Sequence, residues 1–235
     1  MFFRIIRSTL WIFITPLLAG ASIAFYNYID GMNFVFYSQR LFFYGAVSFL
    51  VLHALLYSRQ GGKGDLFTRA WSWLYVFAHE VMHGLTAIFC GGKFSSLRIT
   101  SRGGSVRTTK SNILISLAPY LVPFYTLIII LAYLILNLIF GKGAFRNEFI
   151  FLVGFTITFH VVLTVDFLKT HQPDLKQTGT LWSISIIYLV NLLLVTLILC
   201  WLFKLGPITG FFKEALSITQ EFYLKIIDLV QGGVA

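Results

Sequence analysis

FTRAWSWLYVFAHEVMHGLTAIFC, residues 67–90, is an apolar run with His79, Glu80 and His83 set near its middle. Its length suits the hydrocarbon core of a bilayer, which takes about 20 residues of helix to cross. A charged side chain at that depth costs at least about 2.5 kcal/mol, so Glu80 needs either a partner or a purpose. On a helix, positions i and i+4 project from one face about 6 Å apart. His79 and His83 have that spacing, so both imidazoles can reach one metal ion. Glu80 lies about 100° around the helix from His79, near such an ion without being one of its ligands. Given five His and four Glu in 235 residues, a chance His-Glu-x-x-His is expected about 0.002 times.

The rest of the chain supports a membrane setting. Of its residues 57% are hydrophobic and 11% charged, where soluble domains carry about 25% charged residues. Apolar runs of spanning length lie at about residues 8–28, 41–57, 69–90, 112–140, 147–168 and 181–203. The expected fold is therefore an all-α polytopic membrane protein with about six transmembrane helices. The opening segment has two arginines and Ala19-Gly20-Ala21, as a cleaved leader would, but its apolar character continues through Tyr26 and favours a retained first span. The net charge of +9 comes from Lys and Arg gathered at span ends and loops. That pattern serves orientation and anionic headgroups, so nucleic acid is not an expected partner. Cys90 and Cys200 are far apart and suggest no disulfide framework.

Two segments stand apart from the apolar runs. Residues 91–111, GGKFSSLRITSRGGSVRTTKS, are polar, glycine-punctuated and carry five basic residues. Gly103 and Gly104 can supply the torsions of a tight turn, so a short β-hairpin is expected after the third span. An open sheet edge is not tolerated in lipid, which places the hairpin at the surface or under cover of helices around a wet cavity. Residues 206–235 interrupt their apolar positions with Lys213, Glu214, Glu221, Lys225 and Asp228, the pattern of an amphipathic helix on a membrane surface. The expected organisation is one transmembrane domain over 1–205 and this C-terminal helix over 206–235.

The segment AHEVMHGLTAIFCGGKFSSLRITSRGGSVRT, residues 78–108, resembles the opening motif of the site-2 protease family of intramembrane zinc metallopeptidases, in particular its compact branch without a PDZ domain. The matching features are His79-Glu80-x-x-His83, Gly84, Ala87, Gly91-Gly92 and the hairpin with Gly103-Gly104. The next span is similar to the family's proline-containing helix, with Pro119 in the corresponding place, although Ala118 stands where glycine is usual and no matching Asn follows. The resemblance covers roughly residues 70–180.

It implies one Zn2+ per chain, bound by His79, His83 and an aspartate from a later span, and Glu80 as general base on the zinc's water. The family's usual Leu-Asp-Gly wording for that aspartate is absent. His160, Asp166, His171 and Asp174 are all chemically able to bind zinc. Asp174 is preferred, following a helix-breaking Pro173, with Asp166 as the alternative third ligand. His160 stands at helical spacing from Thr156 and Thr164, on a stripe that should face the bundle interior, and is a candidate to support a ligand from behind. His53 has no motif beside it and reads as packing.

The expected activity is hydrolysis of peptide bonds in membrane-embedded substrates. Competing readings are a catalytically inactive protease-like scaffold and, with less support, a metal or proton transporter. Expected partners are a membrane protein or peptide substrate, met near Gly103 and Gly104, and the lipid bilayer; the sequence names no regulatory membrane partner. The expected location is the bacterial inner (cytoplasmic) membrane, and the distribution of Lys and Arg between loops leans towards a cytoplasmic N-terminus.

Overall fold

The computed structural model describes residues 2–30, 37–58, 66–100, 103–169, 174–175 and 179–232, the side chains of 2–13, 37–38, 57–58 and 66–68 excepted. The elements in chain order are α1 (Phe2–Asp30), α2 (Tyr37–Ser58), α3 (Leu66–Phe89), β1 (Phe94–Thr100), β2 (Gly103–Thr108), α4 (Ile113–Leu121), α5 (Phe124–Phe140), α6 (Arg146–Leu168), α7 (Thr180–Phe203) and α8 (Ile208–Gly232). His171 and Pro173 lie outside the described residues.

Among the described residues, three helical stretches are long and apolar enough to cross a membrane: Gln39–Leu56 within α2, α6, and α7. The pair α4 and α5 makes a fourth if it is one span bent by 67°. The expected count of six is thus not confirmed among the described residues, and local features of two of the apolar runs bear on it. The apolar run 112–140 is broken because Pro123 has no N–H to continue α4, and Val122 before it is extended, at φ −110 and ψ 115. The run holding His79 forms a helix of the expected length, but it carries the polar His79, Glu80 and His83 near its middle and is not among the candidate spans.

Two compact units are present, Val35–Ile184 and Met1–Phe34 with Ser185–Ala235. In the Val35–Ile184 unit, α2 and α6 cross at backbone contact. Gly45 of α2 lies against the Phe151 carbonyl of α6, and Gly154 of α6 against the Phe42 carbonyl of α2; a Cβ at either glycine would collide with that backbone. Helices in lipid gain little from apolar burial against one another, so close approach through small residues supplies much of their attraction. Below this crossing Phe49 is fully buried. Its ring stacks on Trp71 of α3 at 5.6 Å and meets Phe155 and Phe159 of α6 edge-on at 5.4 and 5.6 Å. Such aromatic pairs contribute about 0.5–1.5 kcal/mol each beyond their area and tie α2, α3 and α6 together.

The turn from α3 into the hairpin is closed by its own sequence. Gly91, at φ +73, donates to Ile88 O and Gly92 donates to Ala87 O, both at 2.8 Å, which is the Schellman arrangement that ends a helix on glycine. Lys110 Nζ donates to Cys90 O at 2.8 Å and places a cation where the helix dipole is negative. The strands β1 and β2 pair antiparallel with Leu97 opposite Val106 and Thr100 opposite Gly103, and an irregularity falls between Phe94 and Ser96. Asn112 then caps α4, its Oδ1 accepting from Ile115 N at 2.8 Å.

The other unit contains a helix pair, α1 with α8. Gly20 packs against Ala215 O and Thr219, beside buried Ala24, Phe211 and Ala215. Asn27 Nδ2 donates to Glu214 Oε1 at 2.6 Å. The amphipathic stripe read from residues 206–235 thus has a protein surface, α1, along part of its length.

Candidate metal centre

α3 presents His79 and His83 one helical turn apart, and their Nε2 atoms converge to 3.2 Å. Asp174, in the segment between α6 and α7, directs Oδ2 to 3.4 Å from His83 Nε2 and 3.7 Å from His79 Nε2. Among the described residues this is the grouping of three His, Cys, Asp or Glu able to hold a metal ion, with all ligand atoms within 4.8 Å of one another. In a tetrahedral site with bonds of 2.0–2.1 Å, ligand atoms stand about 3.3–3.4 Å apart. The three distances bracket that value, so the donor set fits such an ion in both chemistry and spacing.

The supporting contacts are consistent with this role. His83 Nδ1 donates to the Ile115 carbonyl at 2.7 Å. A carbonyl only accepts, so in the neutral ring Nδ1 holds the proton and Nε2 presents its lone pair to the other ligands. The site is largely screened from solvent, with His79, Glu80 and His83 at 6%, 8% and 8% exposure.

Glu80 lies where β2 crosses α3. A Cβ added to Gly104 would collide with Glu80 Cγ and come within 2.8 Å of Glu80 Oε1 and Val76 Cγ1. One turn on, a Cβ at Gly84 would lie 2.8 Å from the Phe94 ring. Glycine on both surfaces thus lets the hairpin rest on the helix directly over the glutamate. Gly103 has no atom near its missing Cβ, but its φ of +153 falls in the region that favours glycine.

The other residues singled out from sequence are placed apart from the cluster. Asp166 binds His53 Nε2 at 3.1 Å and Lys169 Nζ at 2.8 Å. His53, read as packing, stacks on Phe49 and also makes that contact with Asp166. His160 and Thr164 are buried in the bundle, and Thr156 bridges helices by accepting from Thr126 at 3.0 Å. Sequence reading missed the Ile115 carbonyl and the buried Tyr120, whose ring meets that of His79 edge-on at 5.0 Å. Tyr120 directly follows Pro119 of the proline motif, and that adjacency was the available signal. A backbone carbonyl leaves none.

Residues 47–125 match the family described as Peptidase M50B-like. The match supports membership of the site-2 protease family. The Peptidase M50B-like stretch takes in His79, Glu80, His83, the hairpin and Pro119, and it supports a peptidase. It ends before Asp174, whose place at the centre rests on the distances above. No curated protein and no solved structure matches the chain.

Proposed function

We propose that the chain is an intramembrane zinc metallopeptidase that hydrolyses peptide bonds of membrane-embedded substrates. The observation that carries this reading is the convergence of His79, His83 and Asp174 beside Glu80. Zinc held by these three residues would supply Lewis acidity, making a water nucleophilic near neutral pH and stabilising negative charge on the carbonyl oxygen. Glu80 takes the proton released by the attacking water and delivers it to the leaving amine, a transfer typically worth 10²–10⁴-fold in rate. Ile115 holds His83 in the ligating tautomer. The cover of β2 over Glu80 limits the water competing for its carboxylate.

A closed substrate helix hides its carbonyls, so the substrate must unwind locally before attack. The hairpin offers strand edges on which an extended peptide can pair, and its basic residues suit anionic headgroups or an acidic segment next to the membrane. The bacterial inner membrane is the setting in which we place the enzyme.

The test is a Glu80→Gln variant assayed on a transmembrane substrate reconstituted in vesicles. The reading predicts cleavage by wild type, one zinc per chain in both proteins, and at least a 10²-fold loss of rate in the variant. Zinc-free wild-type protein, or equal cleavage by the variant, would contradict it. Zinc binding without any cleavage would favour the scaffold reading.

A further inference from the structure

The two histidines of the centre are supported unequally. A metal-bound imidazole almost always donates its second N–H to a fixed acceptor, which sets the tautomer and aims the ring. His83 does so directly, to Ile115 O at 2.7 Å. His79 does not: its Nδ1 is buried and has no hydrogen-bond partner among the described residues. A buried N–H in that position is satisfied by ordered water wherever the space is polar and large enough.

Such a space adjoins the His79 side chain. A cavity lies beside His79, lined also by Tyr75, Tyr125, Thr156, Phe159 and His160. Its lining includes none of His83, Glu80 and Asp174, so of the four residues at the centre it adjoins His79 alone. Its interior admits about one water molecule. Polar groups suited to a water are at hand. His160 is buried on α6, one turn beyond Thr156. The Thr156 hydroxyl donates to Leu152 O at 2.8 Å and accepts from Thr126 at 3.0 Å, which leaves it accepting capacity. Tyr125 Oη donates to Leu74 O at 2.6 Å and likewise keeps an acceptor lone pair.

We propose that a single buried water in this cavity accepts from His79 Nδ1 and bonds to His160, making His160 the positioning residue for this zinc ligand. The inference rests on the metallopeptidase reading and deepens it. One ligand is braced by a backbone carbonyl and the other through water by a side chain of α6, so the centre depends on the packing of α3 against α6. The Phe49 cluster maintains that packing. His160 touches neither metal nor substrate in this arrangement; it acts through His79.

The experiment is a chelator-competition measurement of zinc affinity on the full-length protein in detergent, comparing wild type, His160→Leu and His160→Gln. Leucine removes the polar group, whereas glutamine can still bond the water. Expected is a 10–100-fold weaker zinc affinity for His160→Leu and recovery to within about threefold of wild type for His160→Gln. A His160→Leu protein that binds zinc as tightly as wild type would overturn the inference while leaving the metallopeptidase reading in place. Wild-type protein that binds no zinc would overturn both. Should His160→Leu fail to fold, 15N NMR of the zinc-loaded wild type gives a second readout. A proton on His79 Nδ1 with zinc at Nε2 is expected, and zinc at Nδ1 overturns the inference.

Discussion

The Val35–Ile184 unit uses glycine for close approach in two places, and the two differ in what the glycine faces. At the crossing of α2 and α6, Gly45 and Gly154 each lie against a backbone carbonyl of the other helix. At the crossing of α3 and β2, Gly104 lies against the side chain of Glu80. Backbone cannot yield to an added methyl without moving a helix, whereas a glutamate side chain can swing aside. The first contact therefore bears on stability, and the second bears on where a carboxylate sits. Spacing of small residues alone does not separate these roles; the identity of the opposing atom does.

The comparison fails if the two sets of glycines respond alike to substitution. The largest effect is expected at Gly104→Ala, which should leave zinc content and thermal unfolding close to wild type but lower the rate of substrate cleavage by about 10²-fold, since a displacement of roughly 1 Å at a reacting group costs about that much. Unchanged turnover with this alanine would mean that Glu80 tolerates the displacement. Next is Gly154→Ala, where the methyl meets the Phe42 carbonyl. Overpacking of this kind typically costs about 1–3 kcal/mol, so denaturation should show lower stability while the folded fraction keeps its specific activity. The smallest effect is expected from adding Gly45→Ala to Gly154→Ala. Once the helices have separated for one methyl, the second should cost less than it does alone, and full additivity would show that the two contacts are independent.

Legibility from sequence followed the range of the interactions involved. His79, Glu80 and His83 were readable because helical geometry alone brings them together, and the hairpin because its stretch is polar and glycine-punctuated, although Gly103 and Gly104, expected in the turn, lie in β2 opposite Thr100 and Ile99. Asp174 was readable only as a candidate, since its approach to the histidines depends on how the chain returns after α6. Asp166 was an equally suitable carboxylate on chemistry, and its separation from the centre comes from His53 and Lys169, one of which lies on another helix. The break between α4 and α5 was hidden by continuous apolar composition across Pro123. The water-sized cavity beside His79 required the packing of α3 on α5 and α6, and no pattern in one chain announces it.

The central claim is that His79, His83 and Asp174 together hold one zinc ion. The most direct measurement is zinc stoichiometry and affinity in purified Asp174→Ala beside Asp166→Ala. The account predicts that Asp174→Ala loses most of its bound zinc, while Asp166→Ala keeps one ion per chain at close to wild-type affinity, because its partners are His53 and Lys169. Full zinc in Asp174→Ala, or loss of zinc in Asp166→Ala alone, would contradict it.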